Sequence, residues 1–173
     1  YVRHNEATSV AKVRASDIAK LLQGPTAYRD RTVVEVLPSA FERIVLSTEN
    51  PYVGGRTDVT LTREGNTWSM SAPVSATLKE DEVNKLVEHL GGLRAEAVVT
   101  DAGEASAYGL LSPSATVAIT FKPPVEYRVE KKEGDESAAP VEVQPPSQTI
   151  ELAVASHDGK YYAKRADRPT VYE

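Results

Sequence analysis

Lys79-Glu-Asp-Glu-Val-Asn-Lys-Leu-Val-Glu-His-Leu90, followed at once by Gly91-Gly92, is the stretch that decides the fold. Val83, Leu86, Val87 and Leu90 recur at i, i+3, i+4 and i+7, which places them in one stripe of a helix. The spacing predicts a helix over 79–90. Thr77-Leu-Lys-Glu80 has the form of a capping box, with the Thr hydroxyl taking an orphan N–H while Glu80 reaches back. Glu80, Asp81 and Glu82 crowd the first turn, where the helix dipole favours acidic groups. The glycine pair predicts a left-handed stop.

Working outward, the flanking segments have the period of strands. Val59 and Leu61 alternate with Asp58, Thr60 and Thr62, Glu64-Gly65-Asn66 turns the chain, and Trp68 and Met70 return on one face. Residues 41–48 form a further expected strand, with Asn50-Pro51 and Gly54-Gly55 marking a loop. Beyond the helix, 95–100 is a candidate strand and 102–107 a candidate helical turn. Val117, Ile119 and Phe121 then alternate, as do Ile150, Leu152 and Val154, and Asp158-Gly159 turns into a strand over 160–165. Short turns cannot join parallel neighbours. The fold class expected is therefore α+β: a mainly antiparallel sheet with one principal amphipathic helix, 79–90, packed on a face.

At the amino-terminal end, Tyr1-Val-Arg-His4 and Ser9-Val-Ala-Lys-Val-Arg14 read as two short strands around Asn-Glu-Ala-Thr. Ser16-Asp17 is a candidate cap for a short helix carrying Ile18, Leu21 and Leu22, and Gly24-Pro25 stops it. Five of the eleven prolines fall between Phe121 and Thr149, around Glu130-Lys-Lys-Glu-Gly-Asp-Glu136, which marks a solvated insertion. Its arms alternate Val125, Tyr127 and Val129 on one side and Val141 and Val143 on the other, so that they can also pair as a projecting hairpin with its tip near Gly134.

Composition narrows the function. With 40% hydrophobic and 26% charged residues in 173, the chain has the balance of a folded domain. A net charge of −5 with no basic block argues against a nucleic-acid partner. No cysteine is present, which removes disulfides, thiolate metal sites and cysteine nucleophiles together. No apolar run reaches the length of a membrane span. The first residue is Tyr1, as expected of a fragment of a longer chain.

Catalytic and metal signatures are equally sparse. His4, His89 and His157 are scattered, and His89 has Lys85 and Leu93 at i±4, neither of them a metal ligand. Asp81 with Glu82, and Asp101 with Glu104, are acidic pairs of the kind that cap helix starts. Gly54-Gly55-Arg56 is too short for a nucleotide fingerprint, and no serine elbow or zinc-binding helix motif occurs. No catalytic, cofactor-binding or metal residue is assigned. Tyr1, Tyr127, Tyr161, Tyr162 and Tyr172 fall on expected strands, where packing is the ordinary role and a glycan platform the functional one.

One internal match stands out. Tyr1-Val-Arg-His-Asn-Glu-Ala-Thr-Ser-Val10 aligns without gaps to Tyr162-Ala-Lys-Arg-Ala-Asp-Arg-Pro-Thr-Val171, an offset of 161 residues (162 − 1). With Trp68, Pro73, the amphipathic helix, Leu93-Arg94-Ala95, Tyr108-Gly109-Leu110 and Pro113 in order, the sequence resembles the domain-of-unknown-function 4340 family, a repeated module of bacterial proteins. The resemblance covers residues 41–173, and 1–31 looks like the tail of a preceding copy. The charged insertion after Phe121 departs from the compact pattern of the family.

The organisation expected is thus a tail of a preceding repeat plus a joint over 1–35, and a repeat domain over 36–173 with the insertion at 122–148. The resemblance implies an extracytoplasmic protein, tethered to the inner membrane by a segment outside this chain. It implies a role as an accessory to a gliding-motility-type ABC transporter. It carries over no catalytic residue. The function expected is a non-enzymatic interaction or scaffold module with a protein partner in an envelope assembly. The alternative is a ligand-binding module, glycans included.

Overall fold

A computed structural model describes residues 2–3, 10–50, 52, 54–101, 104–128 and 141–173. The chain separates into two compact units, 1–30 and 31–173.

In the first unit, β1 (Val2–Arg3) pairs antiparallel with β2 (Val10–Ala11), and α1 (Ala15–Leu21) and a short 3-10 turn, Pro25–Tyr28, follow. β2 ends at Ala11, so residues 12–14 lie outside the strand that alternation suggests. Arg14, not Ser16 or Asp17, is the residue before α1, and no side chain caps it. Leu22 lies 78% exposed, so it does not join an apolar face.

The second unit carries β3 (Phe41–Glu49), β4 (Arg56–Glu64), β5 (Thr67–Ala72) and β6 (Ala76–Thr77), then α2 (Glu80–Gly91) and β7 (Val98–Thr100). A 3-10 turn, Ala105–Tyr108, leads to β8 (Ala115–Phe121). A small ribbon, β9 (Glu126–Arg128) and β10 (Val141–Val143), precedes β11 (Gln148–His157), β12 (Lys160–Arg165) and β13 (Val171–Tyr172). Nine strands form one sheet in the order β6-β5-β4-β3-β8-β11-β12-β13-β7, every neighbouring pair antiparallel. The fold is α+β with strands dominant.

Cross-strand register explains the core. Leu61, Ile44, Ile119 and Ile150 stand side by side across β4, β3, β8 and β11. They share one buried cluster with Trp68, Leu152 and the helix residues Val83 and Val87. Burying each such side chain stabilises by about 1.5–3 kcal/mol. The helix stripe is narrower than its spacing predicts: Val83 and Val87 are buried, Leu90 packs from the edge, and Leu86 is 39% exposed. Leu86 falls on the flank because the sheet meets the helix through its Val83–Val87 side.

Both expected helix ends are corrected. Thr77 is drawn into β6, opposite Ser69, so Lys79 precedes the helix and no side-chain cap forms. At the other end Gly92 has φ −113°, not a left-handed value. Gly91 is the glycine that matters. A Cβ there would collide with the Val36 carbonyl and meet the Phe41 ring at 3.3 Å.

That close approach comes from residues 31–36, a segment the sequence pattern leaves in a joint. Val33 and Val34 donate backbone N–H groups to the Leu93 carbonyl at 2.9 and 3.1 Å, and Val36 donates to Gly91 at 2.9 Å. Val33, Val34 and Val36 are all buried. The strap therefore belongs to the core of the second unit, five residues earlier than the expected boundary at 36.

The internal match has a structural counterpart. β12 and β13 pair Ala163 with Tyr172 and Lys164 with Val171. β1 and β2 pair Val2 with Ala11 and Arg3 with Val10. Shifting the second set by 161 residues gives the first. The turn between β1 and β2 lies outside the described residues.

Candidate binding surfaces

The second face of the sheet carries the clearest candidate. β3 reads Ile44-Val45-Leu46, apolar on both sides, so both faces of that strand meet apolar surroundings. Ile44 turns to the helix; Val45 turns away. Thr60, Val45, Ala118 and Glu151 then form one row across β4, β3, β8 and β11. Ser47, Thr116, Ala153 and Lys164 form the next. These are mostly small side chains, and against the Leu110-Leu111 segment they leave a cavity of about 460 Å³. Leu111, at its edge, is 74% exposed.

The wall of this trough is held from both ends. Ala105 and Leu110 pack with Ala155, Tyr162 and Val171 in a second buried cluster, and the Tyr108 ring tilts onto Tyr162 at 4.8 Å. Gly109 turns the segment with φ +73°, a conformation open to glycine. Arg56 then donates to the Pro113 carbonyl at 2.9 Å and to Ser47 Oγ at 3.1 Å, while Ser114 Oγ donates to the Val154 carbonyl at 3.2 Å. The wall covers the β11–β13 end of the face. Across β4, β3 and β8 the same face holds Thr60 buried and Val45, Thr116 and Ala118 half-buried.

A second cavity, about 490 Å³, opens on the helix-bearing face at the end the helix does not reach. Val33, Leu93, Val154, Ala163 and Tyr172 line it. Lys160 Nζ and Glu173 Oε1 lie 2.6 Å apart beside it, and this hydrogen bond raises the pKa of Lys160. Tyr161, also on its lining, is 72% exposed.

The expected hairpin in the insertion exists at its base. Val141 pairs with Arg128, Glu142 with Tyr127 and Val143 with Glu126. Tyr127 thus stands opposite an acid, and the two apolar rows do not meet. Glu42 ties the arms together: Ser147 Oγ donates to Oε2 at 2.6 Å and Lys122 Nζ sits 3.2 Å from Oε1. The Ser147 hydrogen bond first, then Lys122, hold the Glu42 carboxyl below its usual pKa. Gln144 Nε2 donates to the Pro123 carbonyl at 2.9 Å across the two Pro-Pro corners. The tip near Gly134 lies outside the described residues.

The residues weighed for chemistry are dispersed. His89 is exposed, and His157, the last residue of β11 rather than a turn residue, has its Nε2 3.5 Å from the Asp158 carboxylate. Glu82 pairs with Lys85 at 3.0 Å rather than with Asp81, and Asp101 accepts from Thr170 Oγ1 at 2.8 Å while Glu104 makes no side-chain cap. Gly54 and Gly55 form a turn, and Arg56 serves the trough wall. His4 and Tyr1 lie outside the described residues. Tyr162 and Tyr172 are buried on opposite faces, whereas Tyr127 and Tyr161 are exposed on separate elements, so the tyrosines share no platform. Among the described residues no group of three or more His, Asp or Glu is placed to hold a metal. The trough was the feature that sequence reasoning missed; Val45 and Ala118 on the outward side of their strands were its signal.

These features define a strand-dominated α+β module with a helix on one face and a small-residue trough on the other. The family described as Domain of unknown function (DUF4340) matches residues 1–113 and again 68–173, and the chain belongs to that family. The two overlapping matches are consistent with a repeated module. No curated protein and no solved structure matches the chain.

Proposed function

We propose that the chain is a non-enzymatic interaction module that docks a protein partner in the trough on its second face. The observation that carries this reading is the trough beside Leu111, apolar at Val45 and Ala118 and rimmed by Thr116, Glu151 and Lys164. An apolar centre with a polar rim is the anatomy of a protein interface. The small floor suits a branched or aromatic anchor side chain of the partner. The family resemblance supports a setting for this docking: an extracytoplasmic protein tethered to the inner membrane and accessory to a gliding-motility-type ABC transporter.

The second reading, a ligand-binding module that includes glycans among its ligands, draws on the cavity flanked by Tyr161. The dispersal of the other tyrosines weighs against it. Ala118→Arg fills the trough with a charge, whose head can reach solvent from a half-buried position. In the full-length protein it is expected to abolish native co-purification of the partner while the thermal midpoint stays unchanged. Undiminished co-purification from the variant would refute docking at this face.

A further inference from the structure

We propose that the cavity on the helix-bearing face binds a small zwitterion with an aromatic body, the chemistry of a free aromatic amino acid. This takes the ligand-binding reading further. It is independent of the trough, which lies on the opposite face of the sheet.

The cavity is framed by hydrogen-bonded backbone. Register places Val154, Ala163 and Tyr172 in one row across β11, β12 and β13, and this row is the floor. Val33 and Leu93 form a wall, tied by the Val33 N–H to the Leu93 carbonyl at 2.9 Å. The Ala95 N–H donates to the Arg31 carbonyl at 2.8 Å and the Glu96 N–H to the Glu173 carbonyl at 2.7 Å, which fixes the next stretch of lining. The space persists because α2 stops at Gly91 and the residues facing it include Ala95, Gly159 and Ala163. A Cβ on Gly159 would meet nothing within 4 Å. At about 490 Å³ the volume falls in the range of small-molecule sites, roughly 300–1,000 Å³.

Charge and shape together select the ligand. Two bases, Arg94 and Lys160, and two acids, Glu96 and Glu173, are the charged residues of the lining among the described residues. A ligand of one sign meets repulsion there as well as attraction, whereas a dipolar one finds a partner for each charge. Lys160 and Glu173 supply the two half-sites. Of three ammonium N–H donors, Lys160 gives one to Glu173 Oε1 at 2.6 Å, which leaves two for a carboxylate. The Lys160 side chain is 56% exposed and that of Glu173 23%, so the pair stands at the mouth rather than beneath the floor. The Tyr172 ring in the floor and the exposed Tyr161 at its edge suit an aromatic body. A glycan would set its hydroxyls against Val33, Leu93, Val154 and Ala163, which return no hydrogen bond from their side chains.

Titration of the whole chain with L-phenylalanine, phenylpropionate and phenethylamine, followed by amide shifts in NMR, tests this. The three probes share a ring and differ in which head charges they carry. L-Phenylalanine is expected to shift the Gly159 and Ala163 amides and to bind about tenfold or more tighter than either of the others. Lys160→Gln is expected to remove its advantage over phenethylamine, and Glu173→Gln its advantage over phenylpropionate. Equal affinity for all three probes, or a preference for one carrying a single charge, overturns the proposal. So does an advantage that survives both substitutions, or the absence of shifts at Gly159 and Ala163 with every probe.

Discussion

Arg165 and Val33 are joined by a hydrogen bond from the guanidinium Nη1 to the Val33 carbonyl at 3.1 Å, 132 positions apart in sequence. The other edge of the guanidinium is held by both oxygens of Asp167. Arg165 is only 9% exposed, so its charge is satisfied by this pair of partners. The relationship fixes the 31–36 strap to β12, and through the strap to the end of α2. One buried cation therefore links the helix-bearing core to the strands that carry the trough wall.

Asp167 gives this link a pH dependence. The hydrogen bonds from Arg165, ahead of their Coulomb attraction, lower the Asp167 pKa. A carboxyl lowered on folding contributes stability in full above its unfolded value, about 3.9, and loses it as pH falls through the lower folded value. Asp167→Asn is expected to cost about 1 kcal/mol at neutral pH, since the carboxylate is largely exposed. Thermal melts of both proteins from neutral pH downward should converge in acid, once pH has fallen below the lowered folded value. A gap that persists unchanged in acid would mean that the carboxylate charge contributes nothing.

Gly91→Ala separates packing from propensity. Alanine is the better helix former by about 1 kcal/mol, so propensity alone predicts stabilisation. The Cβ collision with the Val36 carbonyl predicts the opposite, a loss of about 1–3 kcal/mol as the strap shifts. Chemical denaturation decides the sign.

Neighbouring helix residues should respond differently. Val87 is 3% exposed and Leu86 39%, although the sequence stripe includes both. Val87→Ala is expected to cost about 1–3 kcal/mol and Leu86→Ala less than about 1 kcal/mol. Equal losses in urea melts would place the helix in a different rotation on the sheet.

These residues also show where the sequence is legible and where it is not. A strand with one buried face writes its burial into alternation: Lys160–Arg165 has the bounds expected of it, and Ala115–Phe121 carries the alternating Val117, Ile119 and Phe121. The helix is displaced from its expected span by one residue at each end. Its caps are not legible, because Thr77 pairs with β5 and the sheet outcompetes a local hydroxyl bond. The strap is not legible for a different reason. Val33 and Val34 are adjacent and both buried, so they show neither period, and their partner Leu93 is distant in sequence. The trough is half legible: Ile44-Val45-Leu46 announces a strand apolar on both faces, but not what lies over the second one.

The insertion should be dispensable beyond its base. Glu42, Ser147, Lys122 and Gln144 hold the arms where they leave β8 and β11. Deleting residues 131–139 and joining the arms through a short Asn-Gly turn is expected to leave a cooperative transition with little change in midpoint. A molten or insoluble product would mean that the removed residues pack against the body.

The most direct measurement is photocrosslinking in cells that make the full-length protein, with a photoreactive residue at Ala118 in the trough or at Glu88 on the exposed side of the helix. The account predicts a discrete protein adduct from position 118 that disappears when Leu111→Asp is added, and no such adduct from position 88. Equal adducts from both positions, or an adduct at 118 indifferent to Leu111→Asp, would contradict docking in the trough.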